Sequence, residues 1–460
     1  MRYIPHTDAD VARMLGVAGF ASLEELWAAL IPDRIRLRRP LDLPPTLDEP
    51  TLRAHLHELA AKNAPPRPLS AGTSGPLSFL GAGLHPHAIP AAVDMLLQRA
   101  EFYTSYTPYQ PEVAQGTLQA IFEFQTIVAE LTGLDIANAS MYDGATACAE
   151  AVLMARRVTG RTRTVFLGGK HPEYLEVLHT MLRALPGQVD VLSRDPESGV
   201  TPQAQLDAAL GDDVACVVVQ NPSFYGVVMD LAPIVEAAHR HGAQVVVVTT
   251  DPVFYAAGKS PGEAGADIAV AEGIGLALGA SLGGPGVGLF AARAAHVRQM
   301  PGRLCGETVD KDGRRGYVLT LSTREQHIRR EKATSNICTN QGLVALAFTI
   351  HLSLLGKVGL AQLARLVYSK TMYLRDAIAQ VGGKRVQIAY PKARLFGEIC
   401  VRVDGRAEDV VQRALGKHVV PGVSLGRWDE KDADLLLIGV SELHRREDLD
   451  QLVQTLVEVA

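Results

Sequence analysis

Two stretches, Cys216-Val-Val-Val-Gln-Asn-Pro222 and Val245-Val-Val-Val-Thr-Thr-Asp-Pro252, decide the fold. Each is a valine run too short for a helix and is closed by a polar residue and a proline, so it reads as a buried strand. Runs at 163–167 and 188–193 read the same way, with helical patterns at 172–184, 201–210 and 230–241 between them. Short apolar strands alternating with helices imply βαβ crossovers and a mainly parallel sheet covered on both faces. Upstream lie helical stretches at 89–99, 116–132 and 143–158; downstream, short strands fit 267–271 and 287–292. After a polar segment at 301–335, a helix from about Gln341 to Leu355 leads to a remainder, 375–460, that reads β-β-α-β-α. The expected organisation is an N-terminal set of helices with a Pro-rich arm (1–88), a large α/β domain (89–340), and a linker helix with a small α+β domain (341–460).

The N-terminal part has its own signals. Thr7-x-x-Asp10 reads as a capping box, and Ser22-x-x-Glu25 caps a second helix through Leu30. The proline-dense stretch that follows has room for one short helix, about Leu52 to Lys62, and otherwise reads as extended arms over a surface. The chain has 460 residues, 47% hydrophobic and 21% charged, which excludes a disordered or fibrous protein. Its 45 Lys+Arg against 50 Asp+Glu leave a charge of −5, which offers neither nucleic acid nor a membrane surface an electrostatic partner. Five scattered cysteines without a CxxC pair fit neither a disulfide framework nor a zinc site. Ile268 to Ala292 is long enough to imitate a membrane helix, but Glu272 and seven glycines make it strands and turns. A soluble, cytoplasmic protein is expected.

Several catalytic signatures are missing: GxxxxGK[ST], HExxH and GxSxG. The glycine-rich Ser281-Leu-Gly-Gly-Pro-Gly-Val-Gly288 lacks the GxGxxG spacing and reads as strand-turn-strand. What does appear is a set of polar residues in order along the sheet. Asp143-Gly144-Ala145-Thr146 opens a helix whose free N–H groups suit a phosphate, and Asp143 also reads as a plain N-cap. Asn221 and Asp251 end neighbouring strands, where open α/β sheets bind ligands. His171 can face a cofactor ring or serve as a helix-entry residue before Pro172.

Together these residues resemble the fold-type I pyridoxal-phosphate scaffold of the aspartate aminotransferase type. The resemblance implies that the loop-helix cups the phosphate and that a strand-end Asp pairs the pyridine nitrogen, keeping the ring a strong electron sink. Such enzymes carry a Schiff-base lysine roughly 25 residues beyond that Asp; here Ala271-Glu-Gly-Ile-Gly-Leu-Ala-Leu-Gly279 contains none, and Lys259 comes too early. Longer strings narrow the family. Tyr106-Thr-Pro-Tyr-Gln-Pro-Glu112, Glu130-Leu-Thr-Gly133, Asp143-Gly-Ala-Thr-Ala147 and Thr323-Arg-Glu-Gln-His-Ile-Arg-Arg-Glu-Lys-Ala-Thr-Ser-Asn-Ile-Cys-Thr-Asn-Gln341 resemble the glycine decarboxylase P-protein. Arg2-Tyr-Ile-Pro-His6 and Arg36-Leu-Arg-Arg-Pro-Leu-Asp42 are similar to the N-terminal, α-type half of its split bacterial form.

The resemblance implies a heteromer, either one α–β pair or a dimer of such pairs. Its β-type subunit holds the lysine and the pyridoxal phosphate, and the glycine carbon passes to the lipoylated H-protein. This chain is then expected to contribute no catalytic lysine and to keep a vestigial pocket at Asp143, Gly144, Ala145, Thr146, His171, Asn221 and Asp251. Arg324–Lys332 reads as a solvated or salt-bridged helix, or as a stretch shaping the shared site. Two other readings compete: a standalone pyridoxal-phosphate transferase or desulfurase, and a structural or regulatory pseudoenzyme.

Overall fold

The computed structural model describes residues 5–37, 39, 41–67, 75–279 and 283–460. Arg2 to Ile4, Arg38, Pro40, Ser281 and Leu282, with the side chain of His327, lie outside the described residues. A seven-stranded sheet runs through the chain: β1 (Ile136–Ala137), β2 (Arg163–Phe166), β3 (Val189–Val191), β4 (Val214–Gln220), β5 (Gln244–Thr249), β6 (Ile268–Glu272) and β7 (Gly288–Ala292). The order across the sheet is β1-β7-β6-β5-β4-β2-β3. The pairs among β2 to β6 are parallel, while β7 is antiparallel to both β6 and β1.

Alternation explains why both faces are covered. Cys216, Val218, Val246 and Val248 pack with the helices Gly144–Thr159 and Pro172–Leu182. Val217, Val219, Val245 and Val247 pack with Leu206, Ile234 and Val235 on the other side. A period of two along each strand sends successive valines to opposite faces, so an uninterrupted valine run is what a doubly covered strand requires.

The stretch 268–292 resolves into β6, a 3₁₀ turn at Ile274–Leu276, and β7. The polar segment 301–335 holds an antiparallel hairpin, Leu304–Val309 with Arg315–Thr320, that the sequence reading leaves out. Only Leu304, Cys305 and Tyr317 of the hairpin are buried, too few for an alternating apolar pattern. Two glutamines of the helix Gln115–Thr132 hold it instead. Gln115 donates to the Tyr317 carbonyl at 2.9 Å and accepts from its amide at 2.8 Å; Gln125 does the same with Cys305 at 2.9 and 2.8 Å.

The helical stretch Gly342–Val381 is long and apolar enough to cross a membrane by composition, yet its buried residues, Phe348 and Val367 among them, belong to the protein core. It is broken at Gly356, whose φ of 58° and ψ of −174° are non-helical. Beyond it a four-stranded antiparallel sheet takes the order Val386–Ile388, Glu398–Val403, Leu435–Gly439, Val423–Ser424, with helices Ala407–Leu415 and Arg446–Val459.

The chain divides into two units, Met1–Asn63 and Ala64–Ala460. In the first, helices form at Asp8–Ala18, Leu23–Leu30 and Glu49–Ala60, with the Thr7–Asp10 box and the Ser22 cap as expected. In the second, the end of the Pro-rich arm is structural. Leu77–Ser78 pairs in parallel with Val419–Val420, and the Gly439 amide donates to Phe79 at 2.8 Å. This pairing carries residues 81–88 across the carboxyl ends of the strands of the large sheet.

Candidate functional site

At the carboxyl ends of β4, β5 and β6 stand Asn221, Asp251 and Glu272, with the N-terminus of the helix Gly144–Thr159 beside them. Asp143 caps that helix: its Oδ1 accepts from the Thr146 amide at 2.8 Å, and the Thr146 hydroxyl accepts from the Asp143 amide at 3.3 Å. Ala145 is half-buried and packs against the helix-side core. The next free donor, the Gly144 amide, is taken by Glu272 Oε2 at 2.8 Å. Glu272 Oε1 accepts from Ile274 at 2.8 Å and Val287 at 3.0 Å. Burial raises the pKa of this carboxylate, against the pull of the three N–H groups. A carboxylate of the chain itself thus sits where a helix N-terminus would receive an anion.

Asp251 is also occupied. Its Oδ1 accepts from the Val253 amide at 3.0 Å and faces His87 Nε2 at 3.2 Å. The other ring nitrogen of His87 lies 2.8 Å from Glu442 Oε2, and Glu442 Oε1 accepts from the Ala88 amide at 2.7 Å. Burial alone would lower the His87 pKa, but the two carboxylates outweigh it and raise it to about 10. The ring is therefore an imidazolium with both N–H groups donating, and it holds Asp251 and Glu442 below the usual carboxylate range against their burial.

His171 enters the helix Pro172–Leu182 as its N-cap. Its Nε2 donates to the Ala82 carbonyl at 2.9 Å and its Nδ1 accepts from the Glu173 amide at 3.2 Å, which assigns the neutral tautomer. Burial lowers its pKa, consistent with that form. One edge is closed by Gly83, where φ is +90° and a Cβ would fall 2.7 Å from the imidazole Cδ2. Behind it the Ala82 amide donates to Glu398 Oε1 at 2.5 Å.

The segment 81–88 therefore fills the space between His171, Asp251 and the turn after β6. In that turn a Cβ on Gly275 would lie 2.4 Å from the His85 carbonyl oxygen and 3.3 Å from the His87 ring. Asn221 does not join the group. Its side chain pairs both ways with the Met229 backbone, accepting at 2.9 Å and donating at 3.3 Å, and it faces a separate cavity of about 460 Å³ shared with Lys259 and Arg394. Lys370, the lysine that approaches Glu442, is tied to the Glu442 and His444 carbonyls.

The structure thus brings together Asp143, Gly144, Thr146, His171 and Asp251, and adds His87, Glu272, Glu398 and Glu442. The added residues carry no motif: Leu84-His-Pro-His-Ala88 lies in an irregular arm, and Glu442 lies in the C-terminal part, far along the chain. The Asp251 carboxylate and the Gly144 amide, which the resemblance assigns to the pyridine nitrogen and the phosphate, are bonded here to the chain itself, so these residues as they stand do not fit the cofactor.

Comparison with known proteins gives the context. Residues 1–456 match the family model "Glycine cleavage system P-protein". A "Probable glycine dehydrogenase (decarboxylating) subunit 1" of Sorangium cellulosum is 51% identical over 458 residues, covering 98% of each chain. The crystal structure of a glycine decarboxylase (P-protein) in inhibitor-bound form superposes with a TM-score of 0.88 at 43% identity, covering both chains completely. A cysteine desulfurase from Thermococcus onnurineus shares the fold alone, at a TM-score of 0.61 and 16% identity over 83% of this chain and 94% of that one. The chain belongs to the glycine cleavage system P-protein family.

Proposed function

We propose that this chain is the α-type half of a split glycine decarboxylase. With a β-type partner it decarboxylates glycine and passes the aminomethyl group to the lipoyl arm of the H-protein. The partner carries the pyridoxal phosphate and its lysine; this chain supplies fold complementarity and the facing half of the assembly. The observation that carries the reading is the self-satisfied pocket in a chain that matches subunit 1 relatives from end to end. Asp251, whose carboxylate would hold a pyridinium, holds His87 instead, and Gly144 binds Glu272 in place of a phosphate. The assembly is one α–β pair or a dimer of pairs, in the cytoplasm. Within the chain, 89–340 and 341–460 act as large and small lobes, and the unit Met1–Asn63 packs on the partner.

The test is exchange of labelled bicarbonate into glycine, with H-protein present and this chain assayed alone, with the β-type chain, and absent. Exchange only when both chains are present supports the proposal. Full exchange by either chain alone would overturn it and favour a standalone transferase or a regulatory role.

A further inference from the structure

Arg303 is, with Arg156, one of two buried arginines among the described residues. It follows the turn Pro301-Gly302, is 5% exposed, and pairs with no carboxylate among the described residues. Nη1 reaches Thr107 Oγ1, Thr339 Oγ1 and Asn340 Oδ1, each at 3.4 Å, and Nη2 reaches Tyr109 Oη at 3.1 Å. Nε is buried with no partner. Three contacts at 3.4 Å are weak, and a desolvated cation ordinarily demands strong acceptors. Arg156 meets that demand with the Pro186 carbonyl at 3.1 Å and the Thr164 hydroxyl at 3.2 Å, while Arg157 leaves its Nε without a partner as Arg303 does. Arg324 donates to the Leu321, Met300 and Gly302 carbonyls, and Arg194 pairs with Asp432.

The groups around Arg303 have a property that carbonyls lack. A hydroxyl either accepts or donates, and turns to suit its partner. Thr107, Thr339 and Tyr109 can each swing a proton toward an incoming oxyanion, and the Asn340 amide can present its NH₂. A guanidinium ringed by reorientable donors is a cradle for a negative charge, and it matches a carboxylate or phosphate in planar, forked geometry. Thr339 and Asn340 also line a cavity of about 420 Å³, whose other walls include Tyr106, Pro108, Phe124 and Val344. Tyr106 and Tyr109 are exposed, at 88% and 59%, so the 106–109 segment is the side open to solvent.

We propose that Arg303, with Thr107, Tyr109, Thr339 and Asn340, is an oxyanion-binding site. It takes a single carboxylate or phosphate group of a small molecule whose compact, partly apolar body rests in the adjoining cavity. This site is separate from the pocket at Asp251 and goes beyond the proposed function.

The experiment titrates the full chain with inorganic phosphate and, separately, with acetate, against chloride at matched ionic strength. Calorimetry and the thermal midpoint are the readouts. Saturable binding of one of the two anions is expected, and the anion that binds more tightly names the chemistry. Arg303→Gln should weaken that binding at least tenfold, and Tyr109→Phe a few-fold. Absence of saturable binding by either anion would overturn the proposal, as would an unchanged Kd in Arg303→Gln. If Arg303→Gln does not fold, Thr339→Val decides: a severalfold weaker Kd supports the site, and a change below twofold overturns it.

Discussion

His87 is the residue on which the pocket turns, because it supplies the cation that two buried carboxylates require. Removing one partner of a buried pair leaves an uncompensated charge, at about 3–5 kcal/mol. His87→Gln is expected to lose stability of that order at pH 7, measured by urea unfolding. The sign of the pH dependence follows from the shifts. His87 is raised from 6.5 to about 10, so its contribution is complete below the ordinary imidazole value and is lost as pH rises through about 10. Asp251 and Glu442 are lowered, so theirs is present above the carboxylate range and is lost as pH falls through it. The native chain should therefore weaken between about pH 7 and 10 relative to His87→Gln; parallel profiles would remove His87 from this role. Gly275 makes the complementary case. A lysine there would have to push aside the His85 carbonyl, 2.4 Å from its Cβ, an overpacking that costs about 1–3 kcal/mol. Gly275→Lys should melt earlier and show no internal-aldimine absorbance with pyridoxal phosphate. A borohydride-reducible bond between the cofactor and residue 275 would contradict this.

At the scale of elements, legibility followed the strength of the periodic signal. Valine runs and capping boxes place β4, β5 and the first two helices from sequence alone, because their packing is local and repetitive. Even the helix ending near Leu355 marks a real boundary, since Gly356 breaks the stretch Gly342–Val381 with φ at 58°. Nothing lies within 4 Å of a Cβ built there, so Gly356→Ala meets only backbone strain and should cost about 1–3 kcal/mol by thermal unfolding. The hairpin at 304–320 escaped because glutamine side chains, not apolar alternation, hold it. The occupied pocket escaped because His87 and Glu442 come from distant stretches and reach the strand ends at Asp251 and Glu272 through the arm's pairing at Leu77–Ser78. The unit Met1–Asn63 shows the opposite balance. Leu15 is buried, whereas Met14, Trp27, Leu30 and Leu56 are exposed. So little enclosed apolar surface fits a segment ordered by a neighbour. Protease should cut it quickly in the isolated chain and slowly in the α–β complex, and equal rates would refute that.

At the scale of the whole molecule, a pocket satisfied from within changes what the cofactor can do for stability. A ligand that binds only the folded state stabilises it by RT ln(1 + [L]/Kd), about 2.7 kcal/mol at a hundredfold excess over Kd. A chain whose Asp251 and Gly144 already hold His87 and Glu272 must break both of those bonds before a ring and phosphate could enter. The desolvated His87 and Glu272 would then need new partners, and the arm at 81–88 would lose its seat. Those losses exceed what a noncovalent cofactor returns without a lysine to anchor it. Pyridoxal phosphate should therefore move the unfolding midpoint of the isolated chain no further than the same concentration of inorganic phosphate, which can act only through its anionic group. In the α–β complex the cofactor should raise the midpoint well beyond phosphate, with about one cofactor retained per pair after dialysis. Two retained per pair, or a cofactor-specific rise in the isolated chain, would show that segment 81–88 yields its place and that the pocket still accepts the group.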